Sequence, residues 1–546
     1  MNPARARAPF WLECGLVGLL VGLYLLIGTR QLSRPGPWWD EGDKGAYGME
    51  LALDLPPSHT DWSLRLAGRT WPLRVQHPYE FSVLPMYWSA LAFKAGGVGV
   101  PILRLSELSL GAAALAVFYA LCRLWLGSEA AFAACLLLAV NPAFVLMSRV
   151  GYFAVEIPLA LPTLAALALL SAWHRERRVW ALCAGAFCWG LSTNVATKSV
   201  AFLLAFPILY VVLIPRKDWP SPRRLAAAGS CAALGAVDFI AYNAARGMPT
   251  FRRLFGSLAA PTLSGVDNGA VPQHLALRAR ELLDLLEGQL LDAGAGGGAA
   301  RDVILPIFVA AALAVMVRRC SSRVGFRGRR FIVFVLGLIA VLFLETAFTP
   351  NNLSPQHLLI LWPYILLPVA ASLDWLRTEV ERRRPGWGTL AAAALLALPV
   401  ASSLRTDASF FSRLEVTGGE RFLSDSIYDL AGYLDRSGIR SPICLSWGMS
   451  RNTYLITQGR VKPIEGHLFL AGVEPRLLDY YAAAVADPAA RFVALAGDPG
   501  VFSREYFEAF RGVVERSGRR LMLEKEFPDR QGRTMFAVWR VEKRPP

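Results

Sequence analysis

The feature that most constrains this chain is a series of apolar runs of membrane-spanning length, parted by short basic clusters. The runs lie near Trp11–Thr29, Leu103–Leu126, Glu129–Met147, Phe153–Trp173, Val179–Ala196, Ser199–Ile214, Leu225–Ala244, Val303–Val317, Phe331–Phe348, His357–Leu373 and Thr389–Leu404. A bilayer core needs about 20 apolar residues per helical crossing, so the pattern predicts a mainly α polytopic membrane protein of about eleven transmembrane helices. A composition that is 54% hydrophobic agrees with that class. The segment Phe81–Phe93 is uncharged over only thirteen positions, a length that suits an interfacial helix better than a crossing.

Charge orients the chain. The net charge is +15, but the basic residues sit between apolar runs, as positive-inside loops do, and this placement argues against nucleic-acid binding. The clusters His174–Arg178, Arg216–Arg224, Arg318–Arg330 and Arg377–Arg384 are separated pairwise by two predicted spans, so all four share one side. The N-terminal Arg5 and Arg7 join that side if Phe81–Phe93 lies on the surface. The positive-inside rule makes this side cytoplasmic. The first apolar run lacks a small-x-small cleavage site and is expected to remain as an anchor. The expected setting is the plasma or inner membrane, with the N-terminus cytoplasmic.

Residues 1–404 then form the transmembrane domain, and residues 405–546 a small soluble extracytoplasmic α/β domain. In the latter, "PICLSW", "RFVALAG" and "RTMFAVWRVE" read as strands and "SDSIYDLAGYLDRSG" as a helix. Seven of the eight cysteines lie in or beside apolar runs, and no CxxC or Cys/His spacing is present. The stretch "LDAGAGGGAAR" has neither the following Lys-Ser/Thr nor the preceding strand of a phosphate cradle and reads as a loop tip.

With this topology the polar residues of interest gather on the outer face. Asp40 and Glu41 follow two tryptophans in "RPGPWWDEGDKGAYG". A carboxylate pair in a loop is commonly a solvated pair or a helix cap, and tryptophans at a span end commonly form an interfacial belt. A carboxylate at a membrane mouth is equally the group that accepts a proton from an attacking hydroxyl. Glu156 opens an apolar run in "SRVGYFAVEIPLA", and Lys198 lies between two runs in "LSTNVATKSVAF". Ionisable groups in such places either reach the headgroups or serve a site. His77 in "VQHPYEF" and His357 in "NLSPQHLLILWPY" complete the set.

The order of these segments resembles the GT-C superfamily of polyprenyl-phosphate-sugar-dependent glycosyltransferases, in particular the branch of protein O-mannosyltransferases and lipid A aminoarabinose transferases. The resemblance runs from about Trp11 to Leu404. It implies that Asp40 matches the first-loop catalytic base, with Glu41 its usual neighbour, and that "HPYEFSVLPMYW" matches the juxtamembrane helix. His77 stands where some members carry a phosphate-binding Lys, Glu156 where many carry Asp, and Lys198 at the lysine of a "TKG" motif whose glycine is Ser199 here. Gln356 and His357 replace the Arg and Tyr of a "RYLLPLLP" pattern.

The implied reaction is inverting transfer of a sugar from a lipid phosphate to a glycan, lipid or protein acceptor. Lys198, His77 and His357 would stabilise the departing phosphate, and Trp39 would stack on a sugar or anchor the loop. The lipid-phosphate sugar is the donor substrate, and the sequence leaves the need for a divalent metal open. Asp40, Glu41 and Glu156 offer oxygen ligands to a divalent ion, although no spacing demands one. The competing readings are a transporter or flippase for a lipid-linked glycan, disfavoured by the absence of repeats and midplane breaks in the sequence, and a membrane scaffold with an extracytoplasmic binding domain.

Overall fold

The computed structural model describes residues 9–76, 80–152, 155–196, 199–259, 262–263, 266–267, 269–289, 298–321, 328–347, 355–466, 473–496 and 501–544. The chain begins with α1 (Phe10–Gly28), α2 (Trp39–Ala52), α3 (Leu84–Gly96), α4 (Val100–Trp125), α5 (Ser128–Ala139), α6 (Pro142–Ser148) and α7 (Glu156–Glu176). Six helices among the described residues are long and apolar enough to cross a membrane, or up to eight if two bent pairs each count as one span. The chain is an integral membrane protein.

Each of the eleven predicted spans is helical, and those outside this count fall short for identifiable reasons. Val179–Leu191 is 13 residues long and Ser199–Leu213 is 15. Arg329–Thr346 carries two arginines and a glutamate within its 18 residues.

Two spans that the sequence presents as continuous are broken. α5 and α6 meet at 61°. Pro142 supplies no backbone donor there, and the Asn141 side chain accepts the Phe144 amide at 2.8 Å instead. Pro222–Gly235 and Val237–Ala245 meet at 70°. Just before that bend, a Cβ on Gly235 would stand 2.2 Å from the Phe187 carbonyl, and one on Gly190 would stand 2.0 Å from that of Ala232. Small residues on both helices therefore let their backbones touch, as is common between membrane helices.

Burial ranks the spans. The segment Gln356–Arg383 is 83% buried, whereas α1 is 22% and Gly388–Thr417 17% buried over their apolar windows. The first is the centre of the bundle and the other two are its rim.

Between α1 and α4 the chain makes α2, a three-stranded antiparallel sheet of β1 (Thr60–Leu66), β2 (Arg69–Gln76) and β3 (Glu80–Ser82), and then α3. The 13 residues of α3 span roughly 20 Å at 1.5 Å per residue, well short of a ~30 Å bilayer core. α2 owes its position to a stripe of glycines. Added Cβ atoms would stand 1.7 Å from Asn452 Oδ1 at Gly42, 2.6 Å from Leu103 at Gly45 and 2.1 Å from Ser89 Oγ at Gly48. Three different neighbours thus crowd onto α2.

The last part of the chain builds a five-stranded mixed sheet. Its members are β6 (Ile443–Cys444), β7 (Ile464–Glu465), β8 (Phe492–Leu495), β9 (Arg519–Pro528) and β10 (Thr534–Lys543), in the order β7-β6-β8-β10-β9. The two-residue β4 and β5 (Thr262–Leu263, Val266–Asp267) form a separate pair. β6 runs parallel to β7 and β8, while β10 is antiparallel to β8 and β9. Helices Ser426–Arg436, Pro475–Ala486 and Val501–Arg516 supply apolar faces to this sheet. The helix Gly388–Thr417 runs unbroken through Leu404, so it carries the bundle directly into this unit.

The Gly42 contact yields a test. Gly42→Ala is expected to destabilise the protein by about 1–3 kcal/mol, the usual cost of overpacking, read as a lowered thermal midpoint in detergent. An unchanged midpoint would show that α2 and the Asn452 helix are not in close contact.

Candidate active site

The first turn of α2 carries both sequence-predicted acids, and its helix N-terminus favours them electrostatically. The two occupy opposite environments. Glu41 is fully buried. Its two oxygens accept from Arg104 Nε at 2.7 Å and Nη2 at 2.9 Å, and Oε2 also accepts the Trp38 amide at 3.1 Å. Arg104, in α4, further donates to the carbonyls of Leu32 and Pro35. This bidentate pair pins the first loop to the bundle. The Asp40 side chain is 40% exposed and lies 4.0 Å from Lys44 Nζ, one helical turn on.

Lys44 leads inward, donating to the Tyr152 carbonyl at 2.8 Å. Tyr152 and Gly151 both adopt positive φ, +65° and +47°. Glycine is required at 151 because a Cβ would stand 2.5 Å from Glu41 Oε1. The Tyr152 amide donates to Glu107 of α4, and Glu107 lies within electrostatic range of Glu41, Lys44 and Glu156. Glu156 begins α7 with its side chain buried, and its Oε1 is 3.0 Å from His357 Nδ1. An ionised carboxylate only accepts, so His357 presents Nδ1–H to Glu156. Asp40 and Glu41 are thus joined through Lys44, Gly151 and Tyr152 to Glu107, and the Glu156–His357 pair lies within electrostatic range of Glu107.

His77 and Lys198 lie outside the described residues. Close to them in the chain, buried Arg74 donates to Asn194 Oδ1 at 3.3 Å and pairs with Asp238 at 3.1 Å.

Lys44, Arg104, Glu107 and Tyr152 were not singled out in the sequence. Arg104 and Glu107 carried a readable signal, an ionisable pair three residues apart inside an apolar run. Tyr152 had none, since its part is played by the backbone.

The tryptophans do not form an interfacial belt. Trp38 is buried, and the Trp39 ring lies between Phe422 at 4.6 Å and Trp447 at 4.1 Å. Gly448 has φ +86°, and a Cβ there would come within 2.6 Å of Trp39 Cβ. Trp39, Asp40 and Asp43 line a narrow cleft with Trp447, Ser450, Arg451 and Glu465. Arg451 closes one side. It bonds Asp43 at 3.0 Å, lies 3.5 Å from Glu50, reaches Ser58 at 3.3 Å, and stacks 4.7 Å from the centre of the Tyr47 ring. Burial, with Asp43 beside it, raises the Tyr47 phenol far above its ordinary range, so Tyr47 is a neutral platform at any physiological pH. Among the described residues, no group of three or more His, Cys, Asp or Glu side chains is arranged to hold a metal ion.

Residues 77–239 match the family model for dolichyl-phosphate-mannose-protein mannosyltransferase. The fold aligns with ArnT from Cupriavidus metallidurans bound to undecaprenyl phosphate, at 15% identity and a TM-score of 0.60, over 96% of this chain and 98% of that one. It also aligns with the oligosaccharyltransferase AglB from Archaeoglobus fulgidus, in complex with an inhibitory peptide and a dolichol-phosphate. There the identity is 12%, the TM-score 0.52 and the coverage 89% and 69%. This chain has the GT-C fold.

A third GT-C neighbour is the arabinofuranosyltransferase AftD from Mycobacteria, 15% identical with a TM-score of 0.51. The alignment covers 98% of this chain and 42% of AftD. Among curated proteins none matches the sequence. The matched stretch 77–239 contains His77, Glu156 and Lys198, while Asp40, Glu41 and His357 fall outside it.

The Glu41–Arg104 pair can be tested apart from any activity. Arg104→Met leaves a buried carboxylate uncompensated, with an expected loss of about 3–5 kcal/mol. Adding Glu41→Leu is expected to recover much of it. Thermal or denaturant unfolding in detergent measures both, and equal midpoints for Arg104→Met and wild type would contradict the pairing.

Proposed function

We propose that this chain is a glycosyltransferase of the plasma membrane, transferring a sugar from a polyprenyl-phosphate-linked donor to an acceptor at the extracytoplasmic face. In this reading the bundle of residues 1–404 crosses the membrane eleven times, with the N-terminus in the cytoplasm. Residues 405–546 form an extracytoplasmic unit that walls the acceptor side. The observation that carries the reading is the divergence of two adjacent acids. Glu41 is locked in a buried ion pair, while Asp40 opens onto a cleft shared with the C-terminal unit.

The chemistry follows from this division. Asp40 accepts the proton of an acceptor hydroxyl as its oxygen attacks the anomeric carbon, and the bond to the lipid phosphate breaks on the opposite side with inversion. Phosphate is already a good leaving group, so stabilising charge on its oxygens matters more than supplying a strong acid. His357 suits that task. Glu156 orients its ring through Nδ1, and in its protonated form the ring carries a positive charge that opposes the charge of a departing phosphate. The family resemblance assigns His77 and Lys198 to the same task. Glu41 serves as a positioning group that sets the first turn of α2, with its catalytic part confined to placing Asp40. Trp39 walls the acceptor cleft.

The neighbours that share this fold include proteins bound to undecaprenyl phosphate and to dolichol-phosphate, which supports a lipid-phosphate donor here. The breaks in two spans are the feature that favours the second reading, a transporter for a lipid-linked glycan.

The deciding experiment is transfer of radiolabelled sugar from membrane polyprenyl-phosphate donors by wild type and Asp40→Asn at matched folded amounts. Removal of a general base is expected to slow transfer by about 10²–10⁴-fold. Equal rates would remove Asp40 from the mechanism. No transfer by wild type across a donor panel, with lipid-linked glycan crossing the bilayer, would establish the transport reading.

A further inference from the structure

The ends of four helices surround an open cleft on the side of the bundle opposite the candidate site. Trp125 closes α4, 21 residues after Arg104, which at 1.5 Å per residue is roughly 30 Å along the helix, the thickness of a bilayer core. α7 likewise begins with Glu156 and carries Arg175 in its last turn. The cleft has about 540 Å³ of open space and is lined by Trp125, Leu213, Gly328, Arg329, Arg330 and Val333. A water occupies about 30 Å³ in the liquid, so this space admits a much larger group.

The cleft is basic. Arg329 and Arg330 begin the helix Arg329–Thr346. Arg329 spends one N–H on the Cys320 carbonyl at 2.6 Å. The Arg330 side chain is 72% exposed and lies 3.7 Å from Asp218. That same carboxylate meets Arg177 at 3.3 Å. Arg175 holds its guanidinium 5.9 Å from the centre of the Trp125 ring. One carboxylate is thus divided between two arginines, with two more arginines beside them.

Its other walls are aromatic and apolar. Trp125 stacks on Phe331, with ring centres 4.8 Å and planes 6° apart. Leu213 ends the helix Ser199–Leu213, on which Leu204, Ile208, Val211 and Val212 are exposed along one face. Leu209 of that helix packs instead on Gly337 of the helix Arg329–Thr346, which joins the two helices that frame the cleft. On a membrane span an exposed apolar face meets acyl chains. The arginines therefore stand where a lipid-facing wall ends.

We propose that this cleft seats the headgroup of an anionic glycerophospholipid, with its phosphate among Arg175, Arg329 and Arg330 and its acyl chains along the face that includes Val212. Guanidinium forks match the oxygens of a phosphate, basic pockets between spans attract anionic headgroups, and a tryptophan suits the headgroup level. A soluble anion would leave the adjoining apolar face unused. A zwitterionic lipid would bring its own cation against the arginines. The seat lies a membrane's thickness from Asp40 and stands whether or not the protein transfers sugar.

The test titrates full-length protein in a maltoside detergent with phosphatidylglycerol, phosphatidylethanolamine and inorganic phosphate, followed by native mass spectrometry. Phosphatidylglycerol is expected to bind at least tenfold more tightly than phosphatidylethanolamine and to raise the unfolding midpoint, as a ligand of the folded state does. Equal binding of the two lipids would overturn the proposal. So would inorganic phosphate binding as tightly as phosphatidylglycerol.

Arg175→Gln combined with Arg330→Gln is expected to weaken phosphatidylglycerol at least tenfold and to leave phosphatidylethanolamine unchanged. Both side chains are exposed, and the lipid-free unfolding midpoint reports whether the variant is folded. If the pair does not fold, Arg330→Gln alone is expected to weaken phosphatidylglycerol about fivefold, the worth of one arginine beside an anionic headgroup. Unchanged affinity in the folded variant would overturn the seat. Arg382→Gln with Arg383→Gln removes two exposed arginines from another basic helix end and is expected to leave affinity unaltered. An equal loss in that variant would show a diffuse basic surface in place of a seat and would overturn it as well.

Discussion

The bidentate contact between Glu41 and Arg104 is the constraint on which the candidate site depends. Both side chains are almost wholly buried, so neither tolerates separation from the other. Arg104 also binds two carbonyls of the first loop, and Glu41 also receives an amide from it. One ion pair thereby fixes the approach to α2, the orientation of its first turn and its register against α4. The Gly151–Tyr152 turn exists in its strained form because Glu41 fills the space a side chain would need. Glu41 is thereby turned into the bundle, while Asp40 lines the cleft on the other side of the turn.

A second constraint acts on the other side of α2. Its glycine stripe removes the side chains that would hold other helices away, and Arg451 then gathers Asp43, Glu50 and Ser58 with one guanidinium. Van der Waals contact and charge pairing thus interleave along the same short helix. Glycine-rich helices have low intrinsic stability, so α2 relies on these neighbours, and its largely buried pairs with Arg451 do not tolerate loss of one partner.

Much of this was legible in the chain. The apolar runs become helices at every predicted place, because hydrophobicity over twenty residues is a strong signal. The strands at "PICLSW", "RFVALAG" and "RTMFAVWRVE" and the helix near Ser426 likewise appear where expected. The breaks after Ala139 and Gly235 were not foreseen. Hydropathy averages across a bend, and the glycine contacts behind the second one lie between distant segments. Among site residues, Glu156 and His357 meet at 3.0 Å, and Asp40 lines a cleft to which neither contributes. The distinction between Asp40 and Glu41 could not be read from two adjacent letters, because it arises from Arg104, more than sixty residues away. Trp39 was expected to stack on a sugar or anchor the loop, and its contact with Trp447, from a distant part of the chain, could not be read from its neighbours in sequence.

That last contact bears on how the protein is made. Beyond its contacts with Arg104 and Tyr152, the first loop and the start of α2 meet Phe422, Trp447, Arg451 and Asn452, which lie far later in the chain. A nascent chain inserting span by span will therefore carry an unfinished α2 until the segment Trp447 to Asn452 has been translated. Products that stall before Asn452 would be membrane-embedded with α2 lacking the partners that crowd its first turn.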